Sequence, residues 1–342
     1  MSKTRIISEG KGELIGWHDP DENREYVLEN KSRELVDKRM SVKEAVSKFV
    51  KDGDFIASGG FGHVRVSMAI IYEIIRQGRR NLAMAGKTAV HDLDILIGSG
   101  CVNRVEVAYC FGHELRGLSP AGRRAVESGR CRVVAETSNA GYQWRFLAGM
   151  MGVPFIPTRN LLGTDTLKHS SAKVIEDPFS GKPVCLVPAA YPDVVFIHTH
   201  RCDIYGNAQI DGIIVEDFEL ARCARKLIIT TEEIIDNEQV RNEPYRTTIP
   251  FYVVDAVIEM PYCSHPCQMP YKYFFDEEHI GEWLKVSKSD QGAKEYFDKY
   301  VFGVKDFEEY LELVGGIRTM NRLRRVEQLR EPMTAPWLKK GE

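Results

Sequence analysis

The sequence predicts an α/β protein: an open, mostly parallel sheet with helices on both faces and a mainly helical C-terminal region. Three observations predict it. Short apolar runs alternate with amphipathic segments along most of the chain. One run, Phe55 to Ser58, passes straight into Gly59-Gly60-Phe61-Gly62, then an amphipathic segment, then another apolar run, the order strand, glycine loop, helix, strand. The 342 residues, 43% hydrophobic and 28% charged, also suffice for a sizeable core.

The elements are justified in chain order. Residues 1–40 are polar and charged, with Gly10, Gly12 and Pro20 and no apolar period. They read as an N-terminal extension, either a surface arm or an arm that wraps a partner. The main domain is expected at 41–330. Ser41 and Glu44 fit a capping box, and Val42, Ala45, Val46 and Phe49 give the helix an apolar face. Asp52-Gly53-Asp54 is a turn before the strand 55–58. Met68, Ile71, Ile74 and Ile75 form one side of a helix ending near Gly78. Strands are expected at 81–85, 105–110, 132–136, 193–199 and 227–231, with helices at 141–151 and 219–226. Residues 280–330 read as mainly helical, and 331–342 as a tail.

Composition excludes several classes of function. Lys+Arg is 46 against Asp+Glu 49, so no basic excess draws the chain to nucleic acid or acidic lipid. No apolar run reaches the roughly 18 residues a membrane helix needs, and the N-terminus lacks the apolar core of a secretory signal. Eight cysteines are too sparse for a disulfide scaffold, so a cytoplasmic protein with reduced thiols is expected.

Few residues announce chemistry. Glycines at the C-terminal end of a parallel strand can expose backbone N–H groups to a ligand, and open sheets bind ligands at that edge. Ser58 to Gly62 therefore reads either as a tight turn or as a ligand contact. Gly86-Lys87-Thr88 lacks the upstream glycine of a phosphate loop, but the stretch through His91 can wall the same edge. His198-x-His200-x-Cys202 and Cys263-x-His265-x-Cys267 place metal-ligating types on one face, yet neither has the usual zinc spacing, and no metal is expected. Arg318, Arg322, Arg324, Arg325 and Arg330 read as a solvated helix face or a contact for an acidic group.

Several ordered segments carry a resemblance: Asp52 to Phe61, Ile74 to Gly78, Asp94-Ile95-Leu96-Ile97-Gly98-Ser99-Gly100, Val153 to Pro157, Thr230 to Ile235, and Val254 to Val257 with His265-Pro266 downstream. Together, over roughly 40–325, they resemble the A (alpha) subunit of class I CoA-transferases, of the glutaconate CoA-transferase type. The resemblance implies a partner B subunit of similar fold, in a heterodimer that often doubles to a heterotetramer. It implies ping-pong transfer of CoA from an acyl-CoA to a free carboxylic acid. A glutamate attacks the thioester and passes through an anhydride to a glutamyl-CoA thioester.

In that family the glutamate lies in the B subunit, often in a Ser-Glu-Asn-Gly motif, which this chain lacks. No catalytic nucleophile is therefore expected here. Coenzyme A is a substrate, and no permanently bound cofactor is implied. The chain would supply substrate-binding residues, foremost Ser58, Gly59, Gly60, Phe61 and Gly62, then Thr88, His91, Thr164 and Asp165. It departs from the glutaconate type at Lys87 to His91 and at Phe111-Gly112-His113-Glu114, which points to a different acyl pocket. The alternative within this fold is an acyl-CoA hydrolase that cleaves C–C bonds, with Glu136 as acid or base. A sugar-responsive repressor of related fold would need a DNA-binding helix-turn-helix, which residues 1–40 do not supply.

Overall fold

The computed structural model describes residues 5–333. Its strands are β1 (Ile6–Glu9), β2 (Phe55–Ser58), β3 (Leu82–Lys87), β4 (Val102–Ala108), β5 (Arg132–Glu136), β6 (Phe155–Thr158), β7 (Lys173–Glu176), β8 (Pro183–Pro188), β9 (Val194–Thr199), β10 (Arg201–Cys202), β11 (Ala208–Gln209), β12 (Lys226–Thr231) and β13 (Ala256–Glu259). The main helices up to the last strand are α1 (Pro20–Asn30), α2 (Val42–Phe49), α3 (Met68–Arg76), α4 (His91–Gly98), α5 (Pro120–Glu127), α6 (Asn139–Met151), α7 (Thr166–His169), α8 (Asp217–Cys223) and α9 (Asn237–Asn242). The C-terminal region adds α10 (Glu277–Val286), α11 (Asp290–Phe297), α12 (Phe307–Leu313) and α13 (Gly316–Glu327). No helix among the described residues is long and apolar enough to cross a membrane.

The central sheet has seven strands in the order β13-β12-β9-β2-β3-β4-β5, and every pairing is parallel. Alternation along each strand splits the core in two. Ile56, Met84, Phe196 and Ile228 pack on one face with α2, α3, α4 and the aromatic residues Trp283, Tyr296 and Tyr310 of the C-terminal helices. Phe55, Ala57, Val195, Ile197 and Ile229 pack on the other face with Tyr142 and Phe146 of α6 and Leu220 of α8.

The capping box forms as expected: Ser41 Oγ accepts from Glu44 N, and the Glu44 carboxylate accepts from Ser41 N at 2.9 Å. Ser41→Ala should cost about 1 kcal/mol, read as a shift in the urea midpoint at constant slope. An unchanged midpoint would show that α2 is held by its apolar face alone.

Two expected boundaries move for local reasons. The strand expected at 105–110 ends at Ala108 because Tyr109 adopts φ +61° and turns the chain out of the sheet. The helix expected at 219–226 closes at Cys223, where Ala224 turns extended and its N–H caps Leu220 O.

The N-terminal segment lies on the surface, with β1 exposed and no buried residue in α1, and it is docked along the rest of the chain. Strand β1 pairs antiparallel with β7 in a second sheet of order β1-β7-β8-β6. Lys31 is buried, with Nζ donating to Asp255 at 2.6 Å, and Lys38 Nζ donates to Phe251 O at 2.6 Å. The segment docks through backbone pairing, scattered polar contacts such as Arg145 to Ile15 O, and the apolar Ile15 against the core, so no apolar periodicity reveals it. Of the expected tail, residues 334–342 lie outside the described residues.

Candidate functional site

Strands β2, β3 and β4 are neighbours, and the loops leaving their C-terminal ends converge on one edge of the sheet. Gly60 and Gly62 have φ of +74° and +59°, a region that glycine enters without a Cβ penalty. A Cβ on Gly60 would run into the Val64 carbonyl oxygen.

The loop's amides are taken within the fold. Gly59 N donates to Phe196 O, Phe61 N to Val64 O and Gly62 N to Thr88 O at 2.7 Å. Gly60 N donates to Asp217 Oδ1 at 2.8 Å. These amides are not free, which fits the tight-turn alternative of the two readings. The loop is a tight turn whose close approach serves its own backbone, and any ligand meets its outer surface.

Beneath it lies a fully buried ion pair. Arg65 Nη2 meets Asp217 Oδ2 at 2.6 Å, and its other arm reaches Oδ1 at 3.0 Å. Burial alone would raise the Asp217 pKa, but Arg65 and the Gly60 amide outweigh it and hold the carboxyl below its ordinary value. Bulky residues in left-handed conformations gather in the same three loops: Arg65, Thr88, Tyr109, Phe111 and Glu114 all have positive φ. Each such residue costs on the order of 1–3 kcal/mol, and such strain concentrates at functional sites.

The other expected site residues separate into two groups. Ser58 is buried, with Oγ donating to Gly59 O, and His91 is buried at the first position of α4. Thr88 opens the loop after β3, so these three stand at the same sheet edge as the glycines. Thr164 and Asp165 belong to the small antiparallel sheet's connection from β6 to α7. There Thr164 Oγ1 donates to Leu161 O and exposed Asp165 pairs with Lys168 at 2.6 Å, with no hydrogen bond or ion pair to the glycine loop. Glu136 is the last residue of β5, partly exposed, with no side-chain partner among the described residues.

Most carboxylates around the edge are committed. Asp92 accepts from the Val90 and Leu93 amides. Asp94 accepts from Ser119, Gly122 and Trp283. Glu114 pairs with Arg116 at 3.1 Å. Glu216 pairs with Lys87 at 2.7 Å, both nearly buried, and burial pushes its pKa up to about 7 against the pull of Lys87. A shallow cleft of about 260 Å³ opens beside the loop, lined by Phe61, Gly62, Glu114, Leu115, Arg116 and Phe275 among others. A larger groove of about 630 Å³ lies elsewhere, between α2, α3 and the start of α12.

The two metal-like sequence trios do not converge. His198 is held between Thr230 Oγ1 and Glu232, and His265 between Tyr310 and Asp276. His200 Nδ1 accepts from the Asp211 amide, which leaves Nε2 as donor to Pro270 O at 2.9 Å. Burial holds the His200 pKa down at about 4. The unfolded chain binds a proton near pH 6.5 that the folded chain refuses, so this stabilisation is present above 6.5 and lost as pH falls through 4. Wild type should lose about 2 kcal/mol more than His200→Asn between pH 7 and pH 5, measured by urea denaturation at each pH. Equal losses would refute the assignment.

The sequence reading missed His63 and marked His113 only within the departure at Phe111 to Glu114, and the structure brings both to His91. His63 directly follows the glycine loop, a position that could have marked it.

Known proteins share this fold and much of this sequence. The Coenzyme A transferase family profile matches residues 39–260. A protein of Archaeoglobus fulgidus described as uncharacterized is 64% identical over 98% of this chain and 75% of its own length. The A subunit of glutaconate CoA-transferase from Acidaminococcus fermentans is 32% identical over 84% of this chain and 94% of its own. The crystal structure of glutaconate coenzyme A-transferase from that organism superposes with a TM-score of 0.79 at 32% identity, covering 83% of this chain and 95% of the other. The crystal structure of a variant of the decarboxylase AibA/AibB superposes with a TM-score of 0.68 at 28% identity, over 76% and 98%.

Proposed function

Because this chain belongs to the coenzyme A transferase family, as a homologue of its A subunits, we propose that it forms one wall of a two-subunit active site whose nucleophilic glutamate comes from a partner B subunit. The observation that carries this reading is the committed state of the carboxylates at the loop edge. Asp92, Asp94, Glu114, Glu216 and Asp217 are each held by amides, hydroxyls or cations. A carboxylate so held is a poor nucleophile, and attack on a thioester needs one freed from such partners.

In this reading the donor acyl-CoA enters at the edge formed by Ser58 to Gly62, Thr88 and His91, beside the Phe61–Leu115 cleft. Thr164 and Asp165 stand further out, as contacts for a remote part of CoA. The partner glutamate attacks the thioester carbonyl and CoA leaves as thiolate. The thiolate then attacks the glutamyl carbonyl of the anhydride and releases the first acid. The acceptor acid reverses both steps and carries CoA away. The transfer itself calls for no resident cofactor. The assembly is a heterodimer or its doubled form, and it works in the cytoplasm.

A second reading is favoured by the likeness to a decarboxylase structure and by Glu136 at the end of β5, whose side chain has no partner among the described residues. Here the same two-subunit site would perform C–C cleavage or hydrolysis with Glu136 as acid or base. CoA exchange assayed on the complex from its source cells separates the two. Transfer requires a free carboxylic acid and gives parallel-line ping-pong kinetics. Turnover with water as the only acceptor would reject it. Under the transfer reading Glu136→Gln leaves the exchange rate within a few-fold, whereas under the second it removes activity by about a hundredfold or more.

A further inference from the structure

We propose that His63, His91 and His113 form a binding site for a divalent transition-metal ion of the zinc class, which ties together the three loops at the C-terminal ends of β2, β3 and β4.

The three histidines follow three different strands, His63 and His113 in the loops after β2 and β4 and His91 at the first position of α4, and each is at most 3% exposed. One ring nitrogen from each lies within 4.8 Å of the others. Ring centroids are 5.1 Å apart for His63 and His113, 6.0 Å for His63 and His91, and 6.1 Å for His91 and His113, a nearly even triangle.

His63 Nε2 and His113 Nδ1 are 3.2 Å apart and hydrogen-bonded to each other. Two nitrogens sharing a tetrahedral ion at about 2.0–2.1 Å stand about 3.3 Å apart. Closing His91 onto the same ion needs an inward shift on the order of 1 Å.

The outward nitrogens complete the pattern. His63 Nδ1 faces the Glu114 carboxylate at 3.4 Å, and His113 Nε2 faces Asp94 Oδ2 at 3.6 Å. Metal-bound histidines almost always turn their second nitrogen to a carboxylate or carbonyl, which fixes the tautomer and raises ligand basicity.

His91 supplies the independent observation. It is completely buried, and neither ring nitrogen has a hydrogen-bond partner among the described residues. A buried, unpartnered imidazole aimed at two others is costly as a packing residue. As a ligand it is satisfied. Three imidazoles suit zinc and its first-row neighbours and disfavour calcium or magnesium.

The site borders the edge where the donor is proposed to enter, but metal binding can be read without substrate or turnover. The full-length, untagged chain is stripped with a chelator and titrated with Co²⁺, then with Zn²⁺. The expected result is one equivalent of Co²⁺ with the visible ligand-field absorption of a low-coordinate nitrogen site, displaced by Zn²⁺. His91→Ala and His113→Ala should each weaken Zn²⁺ binding roughly a hundredfold or more. Exposed His169→Ala, outside the cluster, should leave it unchanged. Zn²⁺ should also raise the wild-type melting temperature reversibly, a readout that stands even if a variant fails to fold. Absence of stoichiometric binding by wild type, a melting temperature indifferent to Zn²⁺ and chelator, or full affinity in both ligand variants would overturn the proposal.

Discussion

Arg65→Met is expected to destabilise the folded chain by about 3–5 kcal/mol, the usual consequence of leaving one charge of a buried pair alone. Both Arg65 and Asp217 have fully buried side chains, and the guanidinium grips the carboxylate with two nitrogens. Methionine fills a similar volume, so the loss reports the stranded carboxylate more than a cavity. Asp217 also accepts the Gly60 amide, so the damage passes directly to the glycine loop. Arg65→Lys keeps the charge but loses the planar fork and should fall between the two. Urea denaturation at pH 7 measures this, and a loss below about 1 kcal/mol would show that the pair is dispensable.

Gly60→Ala is the second large effect. The new methyl would sit at φ +74° and meet the Val64 carbonyl, which itself accepts from Phe61 N. Gly53 offers the matching control, with φ +89° and nothing within 4 Å of a built Cβ. Both variants carry the backbone strain, about 1–2 kcal/mol. Only Gly60→Ala also forces the loop open, and it should add about 2 kcal/mol more. CoA exchange by the intact complex should fall at least tenfold for Gly60→Ala and stay near wild type for Gly53→Ala. Equal behaviour of the two would mean that the close approach at Gly60 has no bearing on the site.

Much of the parallel sheet was legible because its causes are local. The capping box at Ser41, the apolar run of β2 and the glycines after it each depend on a few adjacent residues. The small sheet was not legible, because β1 pairs with β7 far along the chain and β8 begins and ends in proline. The site was legible in part. Glycine spacing located the loop, but not that its amides are consumed by Phe196, Val64, Thr88 and Asp217. That outcome depends on the register of β9 beside β2 and on a side chain from α8. The histidine cluster was invisible for the same reason: strand order, not sequence spacing, brings three loops together.

The borrowed nucleophile is tested most directly by locating the covalent intermediate. The chain is isolated with its natural partner from source cells, incubated with acyl-CoA in the absence of acceptor acid, quenched and mapped by peptide mass spectrometry. The account predicts a CoA thioester on a glutamate of the second chain and none on this one. A CoA adduct on this chain, at Glu136 or elsewhere, or full CoA exchange by this chain alone, would contradict it.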